Sequence, residues 1–400
     1  MKILNILAQK PHSTGSAVYM KELIRSFHKM GIENAAVAGI DHSDSVHWQE
    51  PVEFYPVYFE TKDLPYPVPG MSDSMPYPST VYSTMTAEMQ NQFEAAFIKV
   101  ITKAIEETKP DFILCHHLYF LTTLVREYFP QQKIGAVCHG TDLRQYMKID
   151  LQNDRIRKNL QKLDAVFVLH EAQREKIREL FSVPDEKIHT VGVGYNNHIF
   201  YNQHLEKSKA HVQLIYAGRL SEKKGVPCLL KALGRVRTEK PVKLTLAGGY
   251  SCEEEYQKIR KLAEPLGDRV EFAGKLTQTQ LAERFNQSHI FVLPSFFEGL
   301  PLVVVEAMAC SLKVITTDLP GVKQWIDSNV QENQIVFVRP PKMKNVDEPE
   351  KESEQKFVER LTAAIEQSAA EIEKFQAADT GKISWDSTAE RILSVIGGIG

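Results

Sequence analysis

Short apolar runs alternate along this chain with longer stretches whose apolar residues recur at helical spacing, the pattern of an α/β protein built on parallel sheets. In the first half, Lys2–Leu7, Asn34–Ala38, Phe112–Cys115, Ile134–Cys138, Ala165–Leu169 and Ile188–Val191 read as strands. Ser16–Met30 and Glu88–Glu107 read as helices between them. A second series begins at Gln213–Ala217 and runs through Lys243–Ala247, Val270–Phe272, Ile290–Leu293 and Lys313–Thr316. The polar stretch 201–210 (YNQHLEKSKA) separates the two series. Two such series predict two doubly wound, Rossmann-like domains facing across a cleft, with ligands at the carboxyl ends of the strands.

Two segments break the rhythm. Residues 51–80 hold seven of the chain's 20 prolines, so they form neither one continuous helix nor an interior strand. Such a stretch serves either as a binding loop or as a surface excursion pinned by its aromatic residues. Residues 341–355 (PKMKNVDEPEKESEQ) are a mixed-charge run expected to form a solvated loop leading into a helix.

Composition narrows the class without deciding the activity. The 43% hydrophobic and 25% charged shares are those of a globular protein, and 400 residues suffice for two cores. A net charge of -3 gives no overall attraction to nucleic acid. The five cysteines are scattered and contain no C-x-x-C, which points to a reducing, cytoplasmic setting. The amino-terminal apolar run is short for a signal peptide, and no run reaches the ~18 apolar residues of a membrane span. Basic residues gathered in 144–162 (Arg144, Lys148, Arg155, Arg157, Lys158, Lys162) fit either a solvated helix face or a peripheral membrane contact.

Candidate chemistry concentrates after four strands. In the segment Phe291-Val-Leu-Pro-Ser-Phe-Phe-Glu-Gly-Leu-Pro-Leu-Val-Val-Val-Glu-Ala-Met-Ala309 a strand ends at Pro294 and a helix opens near Pro301. The first-turn N–H groups of that helix, Leu302 to Val304, suit a diphosphate. Glu298 in the turn is placed to accept hydrogen bonds from sugar hydroxyls, and Glu306 in the helix to bind a ribose. Gly218-Arg-Leu-Ser-Glu-Lys-Lys-Gly225 follows the strand Gln213–Ala217. There Arg219 and Lys224 together can neutralise a departing diphosphate, with Lys223 facing solvent. After the first strand comes Pro11-His-Ser-Thr-Gly-Ser-Ala17, and after Ile134–Cys138 comes His139-Gly-Thr-Asp142, whose aspartate either orients a neighbour or, as the simpler expectation, caps the next helix.

The E-x7-E spacing of Glu298 and Glu306 and the complete G-R-L-x-x-x-K-G resemble retaining glycosyltransferase family 4, of the two-domain GT-B fold. By that resemblance Arg219, Lys224, Glu298 and His139 are the catalytic group, His139 lying beside the donor sugar. Gly15, Ser16, Gly218, Lys275, Leu276, Gly299, Leu300, Pro301, Leu302, Val303 and Glu306 bind the donor, with Lys275 and Leu276 beside the nucleobase. The resemblance implies a hexosyltransferase acting on a nucleotide diphosphate sugar, UDP-linked by default, with retention. The diphosphate-binding D-x-D of the other major glycosyltransferase fold does not occur, and neither a metal nor another cofactor is expected. Residues 1–205 with 385–400 would form an acceptor-side domain and 206–384 a nucleotide-sugar-binding domain, a helix from Trp385 crossing back onto the first. Departures from the family pattern are Gly192-Val-Gly-Tyr-Asn196, His170, and Gly248-Gly-Tyr250. An epimerase or phosphorylase of the same fold, or a non-catalytic nucleotide-sugar-binding protein, is the rival reading. A dehydrogenase is disfavoured because no G-x-G-x-x-G follows the first strand. The acceptor and the oligomeric state are not legible.

Overall fold

The computed structural model describes residues 1–400 except Ser13, Asp73, Ser74, Asn345, Val346, Asp347 and Gly400. Parts of the 11–17, 51–80 and 341–355 segments therefore lie outside the described residues. The chain falls into two compact units, Met1–Val193 with Trp385–Gly400, and Gly194–Ser384.

The first unit carries strands β1 (Lys2–Leu7), β2 (Glu33–Ile40), β3 (Glu53–Tyr58), the short pair β4 (Pro69–Gly70) and β5 (Thr80–Val81), β6 (Phe112–His116), β7 (Ile134–Val137), β8 (Ala165–Val168) and β9 (Ile188–Thr190). Its helices are α1 (Gly15–Lys29), α2 (Ala87–Thr108), α3 (Phe120–Tyr128), α4 (Thr141–Lys148), α5 (Asn153–Leu160) and α6 (Glu171–Phe181). Seven strands form one parallel sheet in the order β3-β2-β1-β6-β7-β8-β9. Strands β6, β7 and β8 are buried throughout because helices cover both faces, which is why they read as unbroken apolar runs.

Strand β3 is absent from the sequence-based reading, and its position explains why. Pro56 lacks an N–H to donate, and β3 occupies the sheet's edge, where only one side needs pairing. Beyond it, Phe59, Leu64, Tyr66, Val68 and Met71 bury in one cluster with Phe93 and Phe97 of α2. The excursion is thus pinned by its own apolar residues.

The second unit carries β10 (Val212–Ala217), β11 (Val242–Ala247), β12 (Val270–Gly274), β13 (Ile290–Leu293), β14 (Lys313–Thr317) and β15 (Val336–Val338). Between and after them run α7 (Val226–Arg235), α8 (Glu253–Ala263), α9 (Gln278–Asn286), α10 (Leu302–Ala309), α11 (Val322–Asn329) and α12 (Lys351–Ala370). The sheet is parallel in the order β12-β11-β10-β13-β14-β15. The three-residue β15 is too short to show a pattern in sequence. The final helix, α13 (Trp385–Gly398), packs in the first unit. Trp385 meets Tyr19 edge to face at 5.0 Å, Ser26 Oγ donates to Asp386 at 2.6 Å, and Arg391 Nε donates to the Val191 carbonyl at 2.9 Å.

Each sheet reverses its strand order once, between β1 and β6 in the first unit and between β10 and β13 in the second. At such a switch point the loops leaving adjacent strands diverge to opposite faces and open a crevice. The loops after β1, β10 and β13 carry the sequence motifs, and His139 follows β7, one strand from the first switch.

The two faces of α2 differ in what they contribute to stability. Phe97→Ala, removing a fully buried ring, should cost about 3–5 kcal/mol in chemical denaturation. Lys103→Ala on the exposed face, paired with Glu107 at only 3.9 Å, should cost less than about 0.5 kcal/mol.

Candidate active site

In the second unit the loop leaving β10 is tied down by one buried hydroxyl and by its own backbone. The buried Tyr216 hydroxyl donates to the Arg219 carbonyl at 2.6 Å. The N–H groups of Gly218 and Leu220 donate to the Ala247 and Gly249 carbonyls at 2.9 and 2.8 Å, fastening the loop to the end of β11. Gly248 must be glycine there, since a Cβ would stand 1.7 Å from the Gly218 carbonyl oxygen. The first glycine of the altered G-x-G is thus required by a close approach of backbones.

The same loop then meets the one leaving β13. Gly225 has φ +69°, and a Cβ on it would lie 2.0 Å from the Pro294 carbonyl oxygen. Phe296 N–H donates to the Lys223 carbonyl at 3.0 Å. With the backbones held this closely, Lys224 Nζ reaches Glu298 Oε1 at 2.6 Å, across 74 residues of sequence. Both side chains are mostly covered, and Arg219 on the same loop is half-buried. Lys223, expected to face solvent, is half-buried too, because its backbone is part of this junction.

Helix α10 starts one residue later than the proline rule suggested. Pro301 is its N-cap residue, with extended backbone, and not a first-turn residue. The Val304 N–H donates to the Pro301 carbonyl at 3.1 Å, so the first-turn donors left for a ligand reduce to Leu302 and Val303. Leu300, Pro301 and Glu306 are buried; Gly299, Leu302 and Val303 are half-buried, and Gly218 is exposed. Beyond β12, Leu276 is half-buried and the exposed Lys275 lays its stem over Gly249. The buried hydroxyls of Ser221, Ser295 and Thr317 have no hydrogen-bond partner among the described residues. These three went unnoticed in sequence, although Ser221 and Ser295 stand inside the two motifs.

In the first unit, α1 opens at the exposed Gly15, with Thr14 Oγ1 accepting the Ala17 N–H at 3.2 Å. Ser16 is buried and spends its hydroxyl on Gln9 Oε1 at 2.8 Å, so only its backbone remains for a ligand. Gln9 Oε1 also lies 3.2 Å from His117 Nε2. His139 sits among aromatic rings: Tyr19 edge-on at 5.0 Å, His117 at 4.7 Å, and His116 stacked at 5.5 Å with 3.3 Å between His116 Nδ1 and His139 Nε2. Burial first, then the neighbouring imidazoles of His117 and His116, hold the His139 pKa well below its ordinary value. Burial likewise pushes His116 down to about 3. His139 is therefore a neutral ring at physiological pH, fit for hydrogen bonding and not for charge neutralisation.

Asp142 does not cap α4. The cap position is Gly140, and Asp142 lies in the first turn, fully buried, reaching back to the loop before it. It accepts the Leu118 N–H at 2.9 Å and the His139 N–H at 3.2 Å, with His117 Nδ1 at 3.8 Å. Burial alone would raise its pKa, but the His117 imidazole and the Leu118 N–H outweigh burial and hold the carboxyl below the usual range. Its task is to fasten the His139 loop to the end of β6.

Of the basic residues in 144–162, Lys148, Arg157, Lys158 and Lys162 are exposed, while the other two are covered. Arg144 is buried, Arg155 is gripped by Glu94 at 2.9 Å and Glu127 at 2.7 Å, and Arg157 donates to Ser182 Oγ at 2.9 Å. Among the described residues no helix is long and apolar enough to cross a membrane, and no group of three His, Cys, Asp or Glu side chains could hold a metal ion.

Two parallel Rossmann-like sheets with polar loops at their switch points are the GT-B architecture. A family model described as "Glycosyltransferase Family 4" matches residues 13–197, and one described as "Glycosyl transferases group 1" matches residues 211–347. The chain belongs to glycosyltransferase family 4 and is a glycosyltransferase. It is 24% identical over 290 residues to N-acetyl-alpha-D-glucosaminyl L-malate synthase of Bacillus anthracis, covering 68% of this chain and 73% of that protein. Among solved structures, sucrose-phosphate synthase from Thermosynechococcus elongatus superposes with a TM-score of 0.70 at 18% identity, covering 99% of this chain and 95% of the other. HepE of Anabaena, in complex with UDP and glucose, gives 0.67 at 15% identity with complete coverage of both. At such identities the structural likeness establishes the fold alone.

Two outcomes follow from the geometry. Gly225→Ala should separate the β10 and β13 loops, lowering stability by about 1–3 kcal/mol and abolishing activity, read by thermal unfolding beside a turnover assay. For Asp142, whose folded pKa is depressed, the stabilisation is present above the unfolded value of ~3.9 and is lost as pH falls towards the folded one. Asp142→Asn should thus be less stable than the natural protein at neutral pH, the difference shrinking below about pH 4 in unfolding free energies measured across pH.

Proposed function

We propose that the protein moves a hexosyl group from a nucleotide diphosphate sugar, UDP-linked by default, to an acceptor hydroxyl, retaining the anomeric configuration and needing no metal. The observation that carries this reading is the Lys224–Glu298 contact at 2.6 Å, built from two motifs meeting at a strand-order switch point beside Arg219. A cation that neutralises phosphate and a carboxylate that grips sugar hydroxyls must lie next to each other if the bond to be broken joins the two groups.

In this reaction the bond between the anomeric carbon and the diphosphate oxygen breaks, and the nucleoside diphosphate leaves with the electron pair. Arg219 and Lys224 stabilise the growing charge, helped by the Leu302 and Val303 N–H groups at the start of α10. The acceptor oxygen bonds to the anomeric carbon from the face the diphosphate leaves, and the leaving phosphate oxygen takes the acceptor's proton. Glu298 holds sugar hydroxyls without becoming covalently attached, and Glu306 binds the ribose. Gly218, Gly299, Leu300 and Pro301 line the donor's path, with Lys275 and Leu276 beside the base. In the first unit, taken as the acceptor side, neutral His139 offers a hydrogen bond to a substrate hydroxyl, and backbone at Gly15 and Ser16 borders the site. The UDP and glucose bound by HepE are in keeping with a nucleotide-sugar donor. We place the activity in the cytoplasm, given the scattered cysteines.

Arg219→Ala and Lys224→Ala should each lower kcat by about 100- to 1000-fold with the fold retained by circular dichroism. Turnover is followed as release of nucleoside diphosphate from a panel of nucleotide sugars, and product anomers by proton NMR. Near-natural turnover in both variants would remove the diphosphate assignment, and an inverted product would remove retention.

A further inference from the structure

The loop leaving β11 departs from its family pattern at Tyr250, and the proposed mechanism leaves that residue unused. Its backbone neighbour Gly249 is held from two sides. The Gly249 carbonyl accepts the N–H of Leu220, the residue after Arg219, at 2.8 Å. On the other side the Lys275 stem packs over Gly249, where a Cβ would stand 2.5 Å from Lys275 Cε. Tyr250 is therefore one residue from both the cationic loop and the segment assigned to the base.

The Tyr250 ring is itself fixed. It stacks on Tyr256 of α8 with centroids 4.0 Å apart and planes 7° from parallel. Tyr256 in turn meets Phe272 of β12 edge to face at 6.1 Å, and the Arg260 guanidinium lies 4.5 Å above that Phe272 ring. The Glu253 carboxylate in the first turn of α8 lies close enough to raise the pKa of the Tyr250 hydroxyl. One face of the ring is thus covered and its position set by the column behind it, yet 42% of the residue stays exposed. A rigid, half-open aromatic ring is a stacking surface for a planar π-system at little entropic cost.

Resting on the glycosyltransferase reading, we propose that the open face of Tyr250, backed by Tyr256, stacks the nucleobase of the donor and contributes to its affinity. A nucleoside diphosphate with its phosphates at Arg219 and Lys224 and its base at Lys275 passes beside Gly249, which brings the base to the Tyr250 ring. Stacking recognises the π-face and not the base edges, so Tyr250 supplies affinity for any nucleobase and leaves the choice among bases to Lys275 and Leu276.

The test is calorimetric titration of the natural protein, Tyr250→Ala and Tyr250→Phe with UDP, ADP, GDP and inorganic pyrophosphate. Tyr250→Ala should weaken the tightest nucleotide by about tenfold or more, as loss of a base–aromatic stack does. Tyr250→Phe should stay within about threefold, and pyrophosphate should bind all three proteins alike. If Tyr250→Ala binds nucleotide as tightly as the natural protein, the stacking role fails while the glycosyltransferase reading stands. If Tyr250→Phe weakens binding as much as Tyr250→Ala, the hydroxyl and not the ring is responsible, and stacking is overturned. Weaker pyrophosphate binding in Tyr250→Ala would overturn it too, by tracing the effect to the Arg219 loop. If the natural protein binds no nucleotide, the proposed function itself falls, and the stacking role with it.

Discussion

The second unit depends on one close approach, the backbone of Gly225 against the carbonyl of Pro294. Any side chain at 225 would stand 2.0 Å from that oxygen, so the loops leaving β10 and β13 can lie this close only through glycine. Their contact brings a lysine from one and a glutamate from the other to 2.6 Å. It is backed on the far side by Gly248 against Gly218, which fastens the β10 loop to β11. Two absent side chains thus set the position of the charged ones, and the charged ones could not hold that position alone. An ion pair with part of its surface in water contributes about 1 kcal/mol or less, too little to order two loops.

The first unit organises its polar loops differently. There the fixed element is a buried charge: Asp142, with no exposed surface, binds backbone N–H groups from the β6 and β7 loops and lies against His117. Around it, His116, His139 and Tyr19 form a closely packed group of rings in which burial keeps His116 and His139 neutral. The two units accordingly offer different chemistry. One presents cations and helix-terminal N–H groups suited to phosphate, the other neutral hydrogen-bonding groups suited to hydroxyls.

Much of this was legible in the linear pattern. Strands such as β1, β6 and β13 appear as apolar runs because both faces of a parallel sheet are covered, and Arg219, Lys224, Glu298 and Glu306 stand in motifs with fixed local spacing. The edge strand β3 was hidden by Pro56, which is tolerated only because β3 has a neighbour on one side. Asp142 read as a helix cap because a carboxylate at a helix start usually is one; its actual partners, Leu118 and His117, come from a different strand's loop. Tyr250 read as a mere departure, since nothing local shows that Tyr256, six residues on, would stack beneath it.

The sequence by itself determined the fold class, the two α/β series and the identity of the chemical groups, because periodicity and motif spacing are local properties of the chain. Only the tertiary structure decided which of those groups meet. Lys224 and Glu298 are neighbours because the strand order places β13 beside β10 and not beside β12, and that choice is made by the packing of whole sheets. Glu298 and Glu306, eight residues apart in sequence, end in different environments: Glu298 at the junction of two loops, Glu306 buried within α10.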